Sequence, residues 1–551
     1  MNEQNQKKPS PRVSPPLVSR REFLSAAGGG VVVFFFAGES GAQGRRGREP
    51  ETDFNAFLRV GTDGRVSCLT GKVELGQGSM TSLAQLLADE LDVALEAVDM
   101  VMGDTDLCPW DSGTFGSLTI RRFGPQLLAA AAEARAVLLE LAAGHLEAPA
   151  DRLKVQNGVV FDGRDRSRSV SYAELTEGKR IVRHLDPKPK PKAPSQHRII
   201  GQSVPRRDSR EKVTGKAVFA GDIRLPGMLC ARILKRPAHG AKLESLDTFP
   251  AGDVEGARVI EDGDLVAALH QHPDVAEQVL GRIRAEFDIP DPKVNEETIF
   301  EHLLSVAPEP ETVAEGGLLS EGEGLSSTIY EATYLNGYVA HAPIETHTAV
   351  AAVEGSKATV WASTQAPFRV KEQVAEALGL PPEDVHVITP FVGAGFGGKT
   401  MNDQAVQAAR LSRVVGSPVQ VAWTRPEEFF HDTFRPAAVV KIKAGCDASG
   451  KILLWDYGTY FAGERGSAQF YTVPHHRTLS HGEWGEAPPG SHPFRVGPWR
   501  APANNTNTFA RESHIDMLAS ELGHDPLKLR LANLEDARMK EILEAAADKF
   551  N

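Results

Sequence analysis

The apolar positions along the chain follow a helical repeat in some segments and a strand repeat in others. Helical spacing predicts one helix from Thr81 and a second over about residues 121–146. Their inward positions are Leu83, Leu86, Leu87 and Leu91 in the first helix, and Leu127, Leu128, Ala131, Ala134, Leu138 and Leu141 in the second. Because each helix has one apolar face, both are expected to pack on a core.

Short apolar runs separated by turn residues predict strands in the same part of the chain. Residues 57–60 and 66–69 flank Asp63-Gly64 and predict a hairpin. Asn157-Gly158, between two further apolar runs, is a strong two-residue hairpin signal. This mixture of strands and helices predicts an α+β fold.

The most distinctive stretch begins with a β-branched apolar run at Val385 and ends in the helical pattern MNDQAVQAARLSRVVG. Between them lies the sequence GAGFGGKT, residues 393–400, which we call the glycine loop. Its glycines are Gly393, Gly395, Gly397 and Gly398. Glycines allow the backbone to approach another group closely, and N–H groups before a helix form an anion site. We therefore predict that this loop binds a ligand.

A second glycine segment, Gly76-Gln77-Gly78, precedes the helix at Thr81 and is another place where backbone could meet an anionic cofactor. The glycine loop alone also satisfies the P-loop pattern GxxxxGK[ST], with ILLWD at 452–456 as a second acidic motif. A nucleotide-binding protein therefore remains an alternative at this point.

Composition excludes some classes of protein. The chain has 551 residues, 41% of them hydrophobic, which predicts several folding units. Its net charge of −12 argues against nucleic acid as a partner. The four cysteines are scattered, with no CxxC or Cys/His spacing, so no zinc or iron–sulfur site is expected in this chain.

The first 44 residues resemble a twin-arginine export signal. Arg20-Arg21 in SRREFL precedes an apolar run from Ala26 to Gly38, which is too short to span a bilayer as a helix. We therefore expect a bacterial protein exported to the periplasm in folded form, and no integral membrane protein. The alternative is a disordered basic tail.

Breaks in composition divide the chain into six segments. The Pro/Lys stretch DPKPKPKAP marks one boundary, and a Glu/Gly/Ser-rich stretch marks another. The predicted segments are a signal (1–44), a first folded unit (52–165), a linker (166–199), a second domain (200–305), a connecting loop (306–326) and a third domain (327–551).

Several motifs together resemble the molybdenum hydroxylases, the family of xanthine dehydrogenase and aldehyde oxidase. They are the glycine loop, Gly76-Gln77-Gly78, Asp222–Leu229, Tyr338–Glu345, Trp361–Gln365, Gly497–Pro502, Phe509–Asp516 and Asp525–Leu534. Because Gly-Gln-Gly precedes the second domain, the order is similar to bacterial molybdopterin-binding subunits of the isoquinoline 1-oxidoreductase type. Thr346 departs from the family pattern, which has Pro there.

This resemblance implies an a/b hammerhead domain at 200–305 and multi-part molybdopterin-binding domains of the xanthine dehydrogenase large-subunit type at 52–165 and 327–551. It implies molybdopterin, in its cytosine dinucleotide form, with molybdenum as cofactor. The cofactor would be lined by Gly76, Gln77, Gly78, Gly393, Gly395, Phe396, Gly397 and Gly398. Gln365 would hydrogen-bond a molybdenum oxygen, and Arg500 would orient the substrate and stabilise developing negative charge.

The implied reaction is hydroxylation of an aldehyde or N-heterocycle, with water as the oxygen source. Since the sequence offers no flavin or iron–sulfur motif, electrons would leave through a small [2Fe–2S] subunit, with a cytochrome c as acceptor. A non-catalytic or partial subunit of the same fold is the remaining alternative.

The catalytic base is the feature of the family that the sequence does not supply. The family places a Glu in a Gly-rich turn after the Asp-Pro helix, whereas here the sequence ends in the amphipathic stretch EILEAAADKFN. Glu464 and Glu486 only superficially resemble that turn. We therefore expect the third domain to be incomplete at its C-terminus, through truncation or a split subunit.

Overall fold

The computed structural model describes residues 30–36, 54–177, 180–182, 188–251, 254–485 and 487–550. Arg20, Arg21 and most of the predicted export signal lie outside these residues, as does Glu486. In the described part of the chain, no helix combines the length and apolarity needed to cross a membrane.

The described residues of the N-terminal unit form two sheets and three α-helices. Its strands are β1 (Gly30–Phe36), β2 (Phe54–Gly61), β3 (Val66–Thr70), β4 (Val98–Met102), β5 (Leu153–Gln156), β6 (Val159–Asp162), β7 (Asp165–Ser171) and β8 (Arg180–Val182). Its helices are α1 (Ser79–Leu91), α2 (Gly124–Leu146) and α3 (Tyr172–Thr176). The strand orders are β4-β3-β2-β1-β8 and β5-β6-β7.

The predicted elements of this unit are confirmed. Strands β2 and β3 form the hairpin at Asp63-Gly64, with Val60 opposite Val66. Asn157 and Gly158 both have positive φ, 50° and 73°, as a type I′ turn requires. Helices α1 and α2 bury Leu83, Leu87, Leu91, Leu127 and Leu138 in one core with strand residues such as Leu58.

The middle of the chain forms smaller elements. Its strands are β9 (Leu229–Ile233), β10 (Lys242–Asp247), β11 (Arg258–Asp262), β12 (Leu265–His270) and β13 (Arg284–Asp288). Its helices are α4 (Ser209–Val213), α5 (Pro273–Leu280) and α6 (Ile299–Ser305).

The C-terminal part supplies the remaining elements. Its strands are β14 (Glu311–Gly316), β15 (Thr328–Asn336), β16 (Val339–Ala340), β17 (Thr348–Glu354), β18 (Lys357–Ala362), β19 (Val385–Ile388), β20 (Val419–Ala422), β21 (Phe434–Arg435), β22 (Ala438–Cys446), β23 (Ile452–Tyr460) and β24 (His475–His481). Its helices are α7 (Leu319–Leu325), α8 (Pro367–Leu378), α9 (Asp403–Val415), α10 (Arg425–His431), α11 (Asn504–Leu522), α12 (Pro526–Asn533) and α13 (Ala537–Phe550).

One seven-stranded sheet joins the middle and C-terminal parts. Its order is β11-β12-β9-β20-β17-β18-β19, so β20 pairs in parallel with β9 from the predicted hammerhead segment. Helices α8 and α9 pack in its core through residues such as Val374 and Ala408. A second sheet, β14-β24-β23-β22-β15, packs against α11 through Trp455 and Leu518.

Two segments predicted to lack regular structure contain elements. The connecting loop at 306–326 includes β14, which pairs with β24, and helix α7. The linker at 166–199 includes most of β7 and helix α3, whose start is a capping box between Ser171 and Glu174. Their polar composition hid them because β14 and β7 are largely exposed, so little hydrophobic alternation is required of them.

The N-terminal unit reaches the glycine loop through strand β19. The N–H of Thr105 donates to the carbonyl of Val387, and the N–H of Thr389 donates to the carbonyl of Gly103. Gly103 in turn donates to Thr70 at the end of β3. These bonds place the loops after β3 and β4 beside the loop after β19.

Candidate functional site

The glycine loop runs from β19 toward α9. At each of its glycines, the position that a Cβ atom would take is close to another part of the protein. A Cβ atom on Gly393 would lie 2.4 Å from Glu345, and one on Gly395 would lie 2.4 Å from the amide oxygen of Gln365. A Cβ on Gly397 would lie 1.8 Å from the carbonyl oxygen of Pro498.

Gly398 is packed in the same way, since its Cβ would lie 2.5 Å from Asp432. The sequence pattern attributes all four glycines to the approach of a cofactor. In the structure, other parts of the protein occupy the space that a side chain would take at each of them, and the contact of these glycines with a cofactor stays a prediction. Phe396, in contrast, points outward and is 41% exposed.

The backbone of the glycine loop still offers hydrogen-bond donors. The N–H groups of Gly395 and Phe396 donate to no other described residue, whereas the N–H of Gly397 donates to Gln365. Phe396 and Ala394 both have positive φ, 55° and 72°. Strained backbone of this kind clusters at ligand sites.

Gln365 is buried beneath the glycine loop, at 3% exposure. Its side-chain oxygen accepts from Gly397 at 3.0 Å, and its side-chain nitrogen donates to the carbonyl of Thr114 at 2.8 Å. Both ends of the amide therefore have protein partners. Gln365 ties the loop to the N-terminal unit in this structure, and its bond to a molybdenum oxygen stays a prediction.

Arg500 lies beside the glycine loop through its backbone. Its N–H donates to the carbonyl of Phe396 at 2.8 Å. The side chain is exposed, and its guanidinium contacts no hydrogen-bond or ion-pair partner in the described residues. Ala501 and Ala503, which follow it, have positive φ of 59° and 62°. Arg500 therefore presents an uncommitted cation at the rim of the loop.

The Gly76-Gln77-Gly78 segment forms an anion site, but a side chain of the same chain fills part of it. The carboxylate of Glu74, 4% exposed, accepts from the N–H groups of Gly76, Gly78 and Met80 at 2.8–2.9 Å. Arg206 also contacts this carboxylate at 3.3 Å. A carboxylate at the N-terminus of α1 is stabilised by the helix dipole. The anion that these three amides bind here is therefore Glu74.

Gln77, the middle residue of this segment, is exposed. Its side chain folds back, accepting from Leu75 and donating to Val73, while its own N–H has no partner in the described residues. Its contact with a cofactor stays a prediction.

The two glycine segments are neighbours. The N–H of Val392 donates to the carbonyl of Glu74 at 3.3 Å. The hydroxyl of Thr114 accepts from Val73, and the N–H of Thr114 donates to the carbonyl of Gln365. These hydrogen bonds thus hold the N-terminal unit against Gln365 and the start of the glycine loop, which lie about 250 to 320 positions later in the sequence.

Our sequence reasoning missed the segment that joins them, DSGTFG at 111–116. Asp111 pairs with Lys72 at 2.8 Å, and Lys72 also donates to the carbonyl of Gly113. Gly113 has φ of 126°, and its Cβ would lie 3.0 Å from the carbonyl of Gln365. The two glycines in six residues were the available signal.

Lys399 does not have the position of a P-loop lysine, whose side chain must reach the phosphates of a nucleotide. Its side chain is fully buried, and its ammonium pairs with Glu345 at 2.8 Å. Burial lowers the pKa of Lys399, an effect that Glu345 opposes. Helix α9 begins only at Asp403, three residues after the P-loop pattern ends. A lysine held in this way is not free to reach nucleotide phosphates.

A buried network of charged side chains supports the glycine loop from below. His341 contacts Asp432 at 2.7 Å, and His347 contacts Glu428 at 3.0 Å and the carbonyl of Gly398 at 3.3 Å. His347, Glu428 and Asp432 are close enough to hold a metal ion. Because hydrogen bonds already join His347 to Glu428 and Asp432 to His341, we interpret the group as a buried hydrogen-bond network.

The donors of this site fit an anionic cofactor. Three N–H groups, those of Gln77, Gly395 and Phe396, have no partner in the described residues, and the backbone N–H of Arg500 donates to the carbonyl of Phe396. Such donors suit phosphate and oxygen ligands. Gln77, Phe396 and Arg500 are also exposed, so a bound molecule could reach them.

Comparison with known proteins gives matches to the same two regions. Models of the molybdopterin cofactor-binding domain match residues 307–482 and, for a second domain of that description, residues 18–197. The first match contains the glycine loop and Gln365, and the second contains Gly76-Gln77-Gly78.

Two curated relatives cover most of the chain. A nicotinate dehydrogenase subunit of Pseudomonas putida is 28% identical over 534 residues, 91% of this chain and 44% of that protein. The beta subunit of isoquinoline 1-oxidoreductase from Brevundimonas diminuta is 27% identical over 551 residues, 87% of this chain and 70% of that protein. The chain therefore spans less than half the length of its nicotinate dehydrogenase relative.

Solved structures share the fold. Quinoline 2-oxidoreductase from Pseudomonas putida has a TM-score of 0.53 at 22% identity, covering 62% of this chain and 50% of that one. Aldehyde oxidoreductase from Desulfovibrio gigas has a TM-score of 0.53 at 17% identity, covering 65% and 47%. At these identities the likeness concerns the fold alone.

Proposed function

Because this chain belongs to the molybdenum hydroxylases and carries two molybdopterin cofactor-binding domains, we propose that it is the catalytic subunit of an oxidoreductase that hydroxylates an aldehyde or N-heterocycle. Water would supply the oxygen atom. The observation that carries the proposal is the proximity of the glycine loop and Gly76-Gln77-Gly78, since Val392, just before the loop, donates to the carbonyl of Glu74, two residues before Gly76.

The bound cofactor supplies the redox chemistry, and the chain's own residues bind the cofactor and orient the substrate. The N–H groups of Gln77, Gly395 and Phe396, which have no partner among the described residues, would hold its anionic groups. Arg500, whose backbone N–H is held by the carbonyl of Phe396, would contact the substrate and stabilise negative charge that develops during the reaction. Gln365 would keep the glycine loop in place through its bond to Gly397.

We propose the cytosine dinucleotide form of the cofactor on the similarity to bacterial subunits of the isoquinoline oxidoreductase type. A small [2Fe–2S] subunit would remove the electrons, with a cytochrome c as acceptor. Both curated relatives are subunits of larger enzymes, which supports an assembly of more than one chain.

We also propose periplasmic localisation through twin-arginine export. Arg20-Arg21 ahead of the apolar run Ala26–Gly38 supports it. Export in folded form is compatible with a cofactor that is inserted before the protein crosses the membrane.

The experiment that tests the reaction is turnover by the purified chain, alone and with a co-expressed small [2Fe–2S] subunit, using an artificial electron acceptor. Benzaldehyde, nicotinate and quinoline would serve as substrates in H₂¹⁸O. The proposal expects ¹⁸O in the product. A cofactor-loaded protein with no turnover of any substrate would favour the non-catalytic alternative.

A further inference from the structure

His341 lies between two acceptors at the base of the glycine loop. Its Nδ1 is 2.7 Å from a carboxylate oxygen of Asp432, and its Nε2 is 2.8 Å from the carbonyl oxygen of Pro498. A carbonyl only accepts, so Nε2 must carry a proton, and an ionised Asp432 also needs a donor. Both bonds can exist at once when the imidazole is doubly protonated. The side chains of His341 and Asp432 are both almost completely buried.

The carbonyl that His341 holds is the contact between two loops. Pro498 O occupies the space above Gly397, 1.8 Å from the position of a Cβ. Two residues later, the N–H of Arg500 donates to the carbonyl of Phe396. His341 thus fixes the Arg500 segment at one point, and the glycine loop fixes it at another.

The charges around His341 favour this protonated form. Burial disfavours the cation, but the hydrogen bond and charge of Asp432 outweigh it, together with Pro498 O and the charge of Glu428, so the pKa of His341 is raised above 6.5. Burial likewise opposes ionisation of Asp432, but His341 lowers its pKa below 3.8. The other charged or titratable groups that face the pair are His347 and Lys399, with Glu345 beyond Lys399.

We propose that His341 and Asp432 are a positioning pair that locks the Arg500 segment onto the glycine loop. The structural part of this proposal concerns the two loops, and its consequence for turnover rests on the proposed function. A misplacement of about 1 Å in a group that orients a substrate can lower the rate about 100-fold.

The pair has a defined pH window. Since the pKa of His341 is raised on folding, its stabilisation is complete below about pH 6.5 and is lost as the pH rises through the raised value. The contribution of Asp432, whose pKa is lowered, is present above about pH 3.8 and is lost as the pH falls through the lowered value. Between these limits the contact with Pro498 is expected to be strongest.

The test is hydrogen exchange of the full chain as purified, measured from pH 5.5 to 9.5 and corrected for the intrinsic rate. In the unsubstituted protein, protection of the Arg500 amide is expected to fall at least 10-fold as the pH rises through the pKa of His341. His341→Gln, which is neutral at every pH, should lose this protection and its pH dependence. His514→Gln is the matched control, because His514 is also fully buried but its hydrogen bond is to Tyr334 on β15.

If His341→Gln unfolds, a second variant, Asp432→Asn, still tests the proposal. Asp432→Asn retains an oxygen that can accept from Nδ1 but removes the charge, so the midpoint of the exchange transition should move to lower pH. An unchanged midpoint in Asp432→Asn, or unchanged protection of Arg500 in His341→Gln, would overturn the proposal. Hydrogen exchange can be measured without turnover, so its result tests the positioning pair independently of the proposed enzymatic function. With an active protein, His341→Gln should lower kcat about 100-fold at unchanged molybdenum content.

Discussion

The carbonyl oxygen of Pro498 lies where a side chain on Gly397 would begin, 1.8 Å from the ideal Cβ position. No side chain can be added at Gly397 without moving the Arg500 segment, because real Cβ atoms do not approach backbone oxygen so closely. Gly397 also has φ of 118°, which residues with a Cβ rarely adopt. The close approach of the two loops at Pro498 therefore requires a glycine at position 397.

Gly397→Ala should separate the two loops. We expect a loss of at least about 2 kcal/mol in the free energy of unfolding, since strain and overpacking add. Gly379→Ala is the control, because Gly379 also has positive φ, 61°, but has no atom within 4 Å of a Cβ. Its expected cost is about 1 kcal/mol. Equal costs in denaturant unfolding would show that Pro498 does not restrict Gly397.

Lys399→Met should be strongly destabilising because it leaves Glu345 buried without its cation. Breaking a buried pair costs about 3–5 kcal/mol. Lys443→Met is the control, since the Lys443–Glu323 pair is partly exposed and such pairs contribute about 0–1 kcal/mol. Denaturant unfolding measures both. A stable Lys399→Met variant that loses binding of a nucleotide would instead support the P-loop alternative.

Arg500→Ala should lower turnover while leaving the cofactor bound. A lost electrostatic contact to a developing charge typically costs about 100-fold in kcat. Arg495→Ala is the matched control: Arg495 is exposed on the same segment, but it pairs with Asp403 on α9. Kinetics and metal content are measured on both variants. Loss of molybdenum from Arg500→Ala in proportion to the loss of activity would make Arg500 a structural residue.

Export is tested with a fusion of residues 1–48 to a reporter that folds before it is exported. We expect the reporter in the periplasm, and we expect Arg20→Lys with Arg21→Lys to keep it in the cytoplasm. Fractionation of cells shows its location. Export of the double variant at the normal level would argue against twin-arginine transport.

Local sequence signals predicted the elements, because each depends on neighbouring residues. The turn at Asn157-Gly158 and helix α2 follow from turn chemistry and apolar spacing. The Asp525 cap of α12 accepts from Lys528 N–H, as expected for an Asp-Pro helix start. The family resemblance identified the glycine loop, Gln365 and Arg500, which the structure brings together.

Long-range contacts could not be predicted from spacing. Glu74 fills the anion site of Gly76-Gln77-Gly78, yet in the sequence it is only an acidic residue two positions before Gly76. His341 and Asp432 are 91 positions apart, and nothing local indicates their contact. The spacing of the loop's glycines is visible in the sequence, but the groups beside them, such as Pro498 and Asp432, come from distant segments.

The central claim is that this chain binds a molybdenum cofactor at the junction of the two glycine segments, and its most direct test is the composition of the purified protein. Full-length protein would be produced in a bacterium that makes the cytosine dinucleotide cofactor. Metal analysis and pterin fluorescence after oxidation would then be measured. We predict molybdenum near one per chain with an equal amount of pterin. Purified folded protein that contains neither, and that binds a nucleotide with Mg²⁺ instead, would contradict the claim.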